Sequence, residues 1–180
     1  MTQSPDDDEL SGVGRSPDRP APHTSQGFTH LDERGAARMV DVSGKPVTAR
    51  TATASGRVVL SRAVVELLRG AGVPKGDALA VARIAGIQAA KRTPDLVPLC
   101  HPIAIHGVDV ALAVVDDGVD IEATVRTADR TGVEMEALTC VAVAALALID
   151  MVKAVDPAAV IARVQVDSKT GGTSADWHRP

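Results

Sequence analysis

Residues 131–156, TGVEMEALTCVAVAALALIDMVKAVD, are the stretch on which the fold turns. From Ala137 to Ile149 no residue is charged, and only Thr139 and Cys140 are mildly polar. Charges stand at both ends, Glu134 and Glu136 before, Asp150 and Lys153 after. Ala, Leu and Met favour helix, and no Gly or Pro falls between Val133 and Asp156. Thr131 followed three residues later by Glu134 predicts a capping box, and Asp156-Pro157 predicts the stop. The uncharged run falls short of the ~17–25 residues that cross a bilayer, so the helix is expected to be buried in a core or between subunits.

The two charged ends carry a geometric consequence. Asp150 and Lys153, at i and i+3, share a helix face. Glu136 and Asp150 are 14 residues apart, roughly 21 Å along a helix axis. One straight helix can hardly deliver both ends to one compact pocket. Two copies packed antiparallel could, which predicts a site between subunits.

Composition bounds the rest. The first 27 residues are rich in Pro, Ser, Asp and Gly with few apolar side chains, which predicts a disordered N-terminal tail without the apolar core of a signal peptide. Residues 28–180 suffice for one domain with a sizeable core. Two cysteines make no disulfide framework, and the expected location is cytoplasmic. A net charge of −4 argues against a broad nucleic-acid footprint. Phe28 and Trp177 are the only aromatics, so the body offers no platform for stacking bases. Lysine is the rarer base: Lys45, Lys75, Lys91, Lys153 and Lys169 are five of nineteen, the rest being arginine. Unlike Arg, a Lys can be tuned by burial to exchange protons.

Along the chain, residues 28–42 predict a loop and a short edge strand. Residues 46–60 alternate as a half-buried strand, with Gly56 at a bulge. Ser61 caps a short helix closed by Gly70. A second helix, ALAVARIAGIQAAKR, follows Lys75-Gly76-Asp77 and turns Leu79, Ile84 and Ile87 to one face, with Ala elsewhere allowing close packing. LVPLCHP (96–102) is a proline-bracketed turn presenting Leu99, Cys100 and His101. Residues 103–128 make a hairpin about Asp116-Asp117-Gly118. The long helix comes next, then a strand over 158–166 and a Gly-Ser loop carrying Lys169. This order predicts an α+β fold, a ferredoxin-like antiparallel sheet with helices on one face.

No metal-ligand motif stands out. Asp150 with Lys153 follows the most apolar segment, where desolvation would raise the Asp pKa or lower the Lys pKa and their mutual attraction would oppose both. Such tuning makes proton donors and acceptors near neutral pH.

KGDALAVARIAGIQAAKRTPDLVPLCHP (75–102), TGVEMEALT (131–139), DMVKAVD (150–156) and SKTGG (168–172), in that order, resemble the cyclic pyranopterin monophosphate synthase, or MoaC, family of molybdenum-cofactor biosynthesis. The resemblance spans about residues 28–177. It implies conversion of 3′,8-cyclo-7,8-dihydroguanosine 5′-triphosphate into cyclic pyranopterin monophosphate with release of pyrophosphate, that is, a phosphorus–oxygen lyase. It implies a hexamer of three dimers with the pocket at the dimer interface, and a substrate made by a radical S-adenosylmethionine enzyme. By motif position Asp150 is the expected catalytic acid/base with Lys153 beside it. Leu99, Cys100, His101, Met135 and Glu136 match substrate-contacting turns, and Lys75, Lys91, Glu134 and Lys169 match the pocket lining. No metal is implied as a protein ligand set, although Mg²⁺ could accompany the triphosphate. Two positions depart from the family pattern. Arg130 replaces a usual Lys, keeping charge without proton transfer. Thr173 replaces a frequent Lys, leaving Lys169 to face phosphate alone or that role unfilled. A non-catalytic nucleotide-binding or regulatory module on the same fold is the alternative; a degenerate copy of that kind would lose Asp150 or Lys153, and both are present.

Overall fold

The computed structural model describes residues 30–180 except 33, 71, 72 and 174. Residues 1–29, with the expected tail and Phe28, lie outside the described part. The chain divides into two units, residues 1–38 and 39–180. The described residues of the first form a tight loop. Its Asp32 carboxylate accepts from the amides of Arg34 and Ala36, and a single bridge joins Leu31 to Ala37. No strand is present among the described residues of 28–42, where a short edge strand was expected; the chain's apolar run there is too short to hold a ladder.

The second unit runs β1 (Thr48–Val59), α1 (Arg62–Arg69), α2 (Ala78–Ala90), α3 (Thr93–Leu96), β2 (Ile105–Val115), β3 (Gly118–Asp129), α4 (Glu134–Val152), β4 (Val160–Gly171) and β5 (Trp177–His178). The strands form one sheet in the order β2-β3-β1-β4-β5, every neighbouring pair antiparallel. Without the two-residue β5 this is the split βαβ arrangement of the ferredoxin-like fold, as the element order predicts. Alternation sets the layers. Ala52, Ala54, Gly56 and Val58 of β1 and Ile121, Ala123 and Val125 of β3 are buried, while the residues alternating with them face the open side of the sheet.

The long helix lies over the buried face. Ala137, Cys140, Val141, Ala144, Ala145, Leu148 and Val152 are completely buried. At 19 residues and a mean hydropathy of 2.0, α4 is long and apolar enough to cross a membrane, so length alone does not exclude a span. Its packing across β1, β3, β4 and α2 makes it a core helix. Small residues permit that packing. A Cβ on Gly56 would meet Val141 Cγ1 at 2.5 Å and Arg163 O at 3.0 Å, so α4 and β4 need the bare backbone. A Cβ on Gly86 would lie 2.8 Å from Cys140 O.

Several local expectations are corrected. On α2 the buried residues are Ala78, Ala82, Gly86, Ala89 and Ala90, whereas Ile84 is 57% exposed. Leu79 still packs against the edge of the core, but Ile84 is left outside because the close α2–α4 contact takes the alanines and Gly86. The cap of α4 is Val133 with no side-chain hydrogen bond, so Thr131 and Glu134 make no capping box. Ser61 precedes α1 without side-chain capping; its amide donates to the buried Asp156 carboxylate at 2.6 Å. β4 extends through Gly171, which places Lys169 on a strand rather than in a loop.

Candidate active site

The two ends of α4 carry two separate groups of polar side chains. At its C-terminal end, Asp150 Oδ1 lies 2.6 Å from Lys153 Nζ. Lys75, in the short segment before α2, donates to Asp150 O at 2.7 Å and to Oδ2 at 3.2 Å. The helical i, i+3 spacing supplies the first contact and the chain crossing ahead of α2 supplies the second. Hydrogen bonds from Lys153 and then Lys75 hold the Asp150 carboxyl below the usual range. Desolvation, expected from sequence to matter here, is minor. All three side chains are between 40% and 59% exposed in the single chain, and attraction wins.

The N-terminal end differs. Glu136, on the first turn of α4, is 2% exposed. Burial first, and the like charge of Glu134 after it, push its carboxyl from 4.5 up to about 7. Cys100, in the turn after α3, is close enough that Glu136 adds to the upward push of burial on its thiol. Its neighbour His101 donates from Nε2 to Val40 O at 2.6 Å. Leu99 is half-buried beside them, and Met135 is 39% exposed on the outer side of α4.

A hollow of about 170 Å³ opens beside this end, with Lys45, Arg50, Arg130, Glu134, Lys169 and Thr173 among its lining. Lys169 Nζ lies 3.3 Å from Glu134 Oε1. Arg50 donates to the carbonyls of Asp129 and Arg130, and Arg130 Nε donates to Lys45 O at 3.0 Å. Gly172 leaves room for the Arg50 guanidinium, since a Cβ there would meet Nη1 at 2.3 Å. A second concavity beside it, lined by His101 and residues 39–43, shares Arg130 and Thr131 with the first.

The fold therefore brings Glu134 to Lys169 and Cys100 to Glu136, and it brings Lys75 to Asp150 and Lys153. It does not join the two groups, which stand roughly 21 Å apart along α4. Lys91, at the C-cap of α2, is exposed and belongs to neither. Sequence reasoning missed Lys45 and Arg50 as lining residues. The scarcity of lysine flagged Lys45, but nothing local flagged Arg50. Among the described residues no group of three or more His, Cys, Asp or Glu side chains could hold a metal ion.

A ferredoxin-like α+β scaffold carrying a cation-lined hollow, a buried carboxyl near neutral pKa and a lysine-flanked carboxylate has the makings of an acid–base enzyme for an anionic substrate. The chain belongs to the MoaC family, whose model matches residues 39–172. It is 70% identical over 160 residues to a cyclic pyranopterin monophosphate synthase of Streptomyces avermitilis, covering 89% of this chain and 94% of that one. The corresponding Streptomyces coelicolor protein is 67% identical over 96% of this chain and 97% of its own. Cyclic pyranopterin monophosphate synthase 2 of Mycobacterium tuberculosis is 58% identical over 152 residues, 84% of this chain and 91% of its own.

Proposed function

We propose that this chain converts 3′,8-cyclo-7,8-dihydroguanosine 5′-triphosphate into cyclic pyranopterin monophosphate and pyrophosphate, an early step in making the molybdenum cofactor. The family membership and the two groups on α4 together support this reading. The observation that carries it is the assortment of the groups: cations round a hollow at one end, and a carboxylate between two lysines at the other.

The chemistry needs both. A triphosphate brings about four negative charges, which converging Arg and Lys must balance in an acidic protein. We assign that task to Lys45, Arg50, Arg130 and Lys169. Opening and reclosing the purine-derived ring requires proton transfers, for which Asp150, Lys153, Lys75, His101 and the near-neutral Glu136 are suited. A hydroxyl must then attack the α-phosphorus, and departing pyrophosphate must be stabilised electrostatically. Mg²⁺ accompanying the triphosphate would ride on phosphate oxygens.

We further propose that the complete site forms between two copies, the C-terminal group of one α4 meeting the N-terminal group of the other. Exposed Leu146 and Met135 on α4, Val81 and Ile84 on α2 and Leu96 on α3 give such a partner an apolar surface. We place the enzyme in the cytoplasm as a hexamer of three dimers, downstream of a radical S-adenosylmethionine enzyme. The test is to mix purified protein with the cyclic dihydroguanosine triphosphate and assay for a fluorescent pterin after oxidation. Bound but unconverted substrate would reject the reading.

A further inference from the structure

The last strand pairs with the part of β4 that supplies Lys169 to the hollow. Trp177 is the one tryptophan, and there is no tyrosine. β5 holds only Trp177 and His178, paired antiparallel with β4 so that Trp177 stands opposite Lys169. Side chains directly opposite in such a pair leave the same face, with Cβ atoms ~4.5–5.5 Å apart. The indole and the Lys169 side chain thus leave the same face of the sheet side by side, and the Lys169 ammonium reaches Glu134.

So short a strand does not hold itself, and other contacts tie it down. The Asp176 carboxylate accepts from Gly171 N at 2.9 Å. Arg179 donates its amide to Asp167 O at 2.7 Å and its Nε to Val166 O at 2.8 Å. The Arg179 guanidinium lies 5.5 Å from the centre of the indole ring, within cation–π range. The connecting turn starts with Gly171 and Gly172, both at φ 85°, which lets the chain double back beside the hollow lined by Thr173.

We propose that this hook, residues 176–179, is a positioning element for phosphate binding, with Trp177 holding the side chain of Lys169 in place before substrate arrives. The proposal rests on reading the hollow as the seat of the triphosphate. The physical reason is entropic. A lysine on its four-carbon stem must give up rotamer freedom to grip an anion, and packing the stem in the free protein removes that loss from the binding step.

The test compares Trp177→Ala, Trp177→Phe, Lys169→Ala and the Trp177→Ala/Lys169→Ala double variant in the full-length assembled enzyme. Ordering one long side chain corresponds to roughly two- to tenfold in affinity, so Trp177→Ala is expected to raise KM by that factor with kcat nearly unchanged. Trp177→Phe should restore most of it, and the double variant should be no worse than Lys169→Ala. Tripolyphosphate should perturb the wild-type tryptophan emission, and the perturbation should vanish in Lys169→Ala. A Trp177→Ala enzyme with wild-type KM, additive effects in the double variant, or tryptophan emission indifferent to tripolyphosphate overturns the proposal. A wild-type KM in Lys169→Ala instead overturns the phosphate seat itself. Should Trp177→Ala fail to assemble, Asp176→Ala, which frees the Gly171 amide, takes its place with the same readout.

Discussion

Replacing Glu136 by Gln should change the pH dependence of stability by an amount the structure sets. The carboxyl is buried, and its pKa rises from 4.5 to about 7. A carboxyl whose folded pKa is raised keeps its proton while the unfolded chain loses it. The contribution of this group to stability is therefore greatest below pH 4.5, falls as pH climbs toward 7, and levels off above that, once the folded form ionises too. A rise of roughly 2.5 pH units at ~1.36 kcal/mol each corresponds to about 3 kcal/mol. Gln keeps the shape and carries no charge, so it escapes this loss. Thermal unfolding of wild type and Glu136→Gln, at one protein concentration from pH 4 to 8, should show curves that run together in acid and separate above it. For a chain of this length ~3 kcal/mol corresponds to roughly 6–12 °C in Tm at pH 8. Parallel curves across the range would refute the reasoning, because they would mean that Glu136 is already ionised in the folded protein. The same variant should turn over substrate poorly if the near-neutral carboxyl moves a proton in the reaction.

Asp150→Ala and Lys153→Ala should each lower kcat by ~10²–10⁴-fold with the oligomer intact by size-exclusion chromatography; turnover within tenfold of wild type in both would remove their assignment. Lys45→Ala and Arg130→Ala should raise KM roughly tenfold or more and weaken its salt dependence while kcat stays close to wild type. A fall in kcat alone would place the phosphates elsewhere. Gly86→Ala forces a methyl to within 2.8 Å of the Cys140 carbonyl, so the two helices must part, at about 1–3 kcal/mol and several degrees of Tm; an unchanged Tm would contradict the close α2–α4 packing.

Much of this protein is legible in one dimension. The uncharged run ending in Asp150 and Lys153 specifies a buried helix with a charged pair on one face, because helical periodicity is local. The order of alternating and helical segments points to a ferredoxin-like antiparallel sheet, because strand alternation is local as well and few topologies suit that order. Tertiary structure decided what depends on distant residues meeting. The Arg130 guanidinium holds the Lys45 carbonyl across 85 positions of chain, and Arg50 joins them only because β1 pairs with β3. The alanines of α2 signalled close packing, but that α4 is what they pack against, leaving Ile84 outside, was set by the tertiary contact, since close helix contact favours Ala and Gly over Ile. Burial likewise separated two carboxyls that look alike on paper. Asp150 sits half-exposed between lysines and stays ionised, whereas Glu136 sits in the core with Glu134 nearby and holds its proton toward neutrality. Local pattern fixes backbone form, but the dielectric and the charges around a side chain come from whichever parts of the chain fold against it.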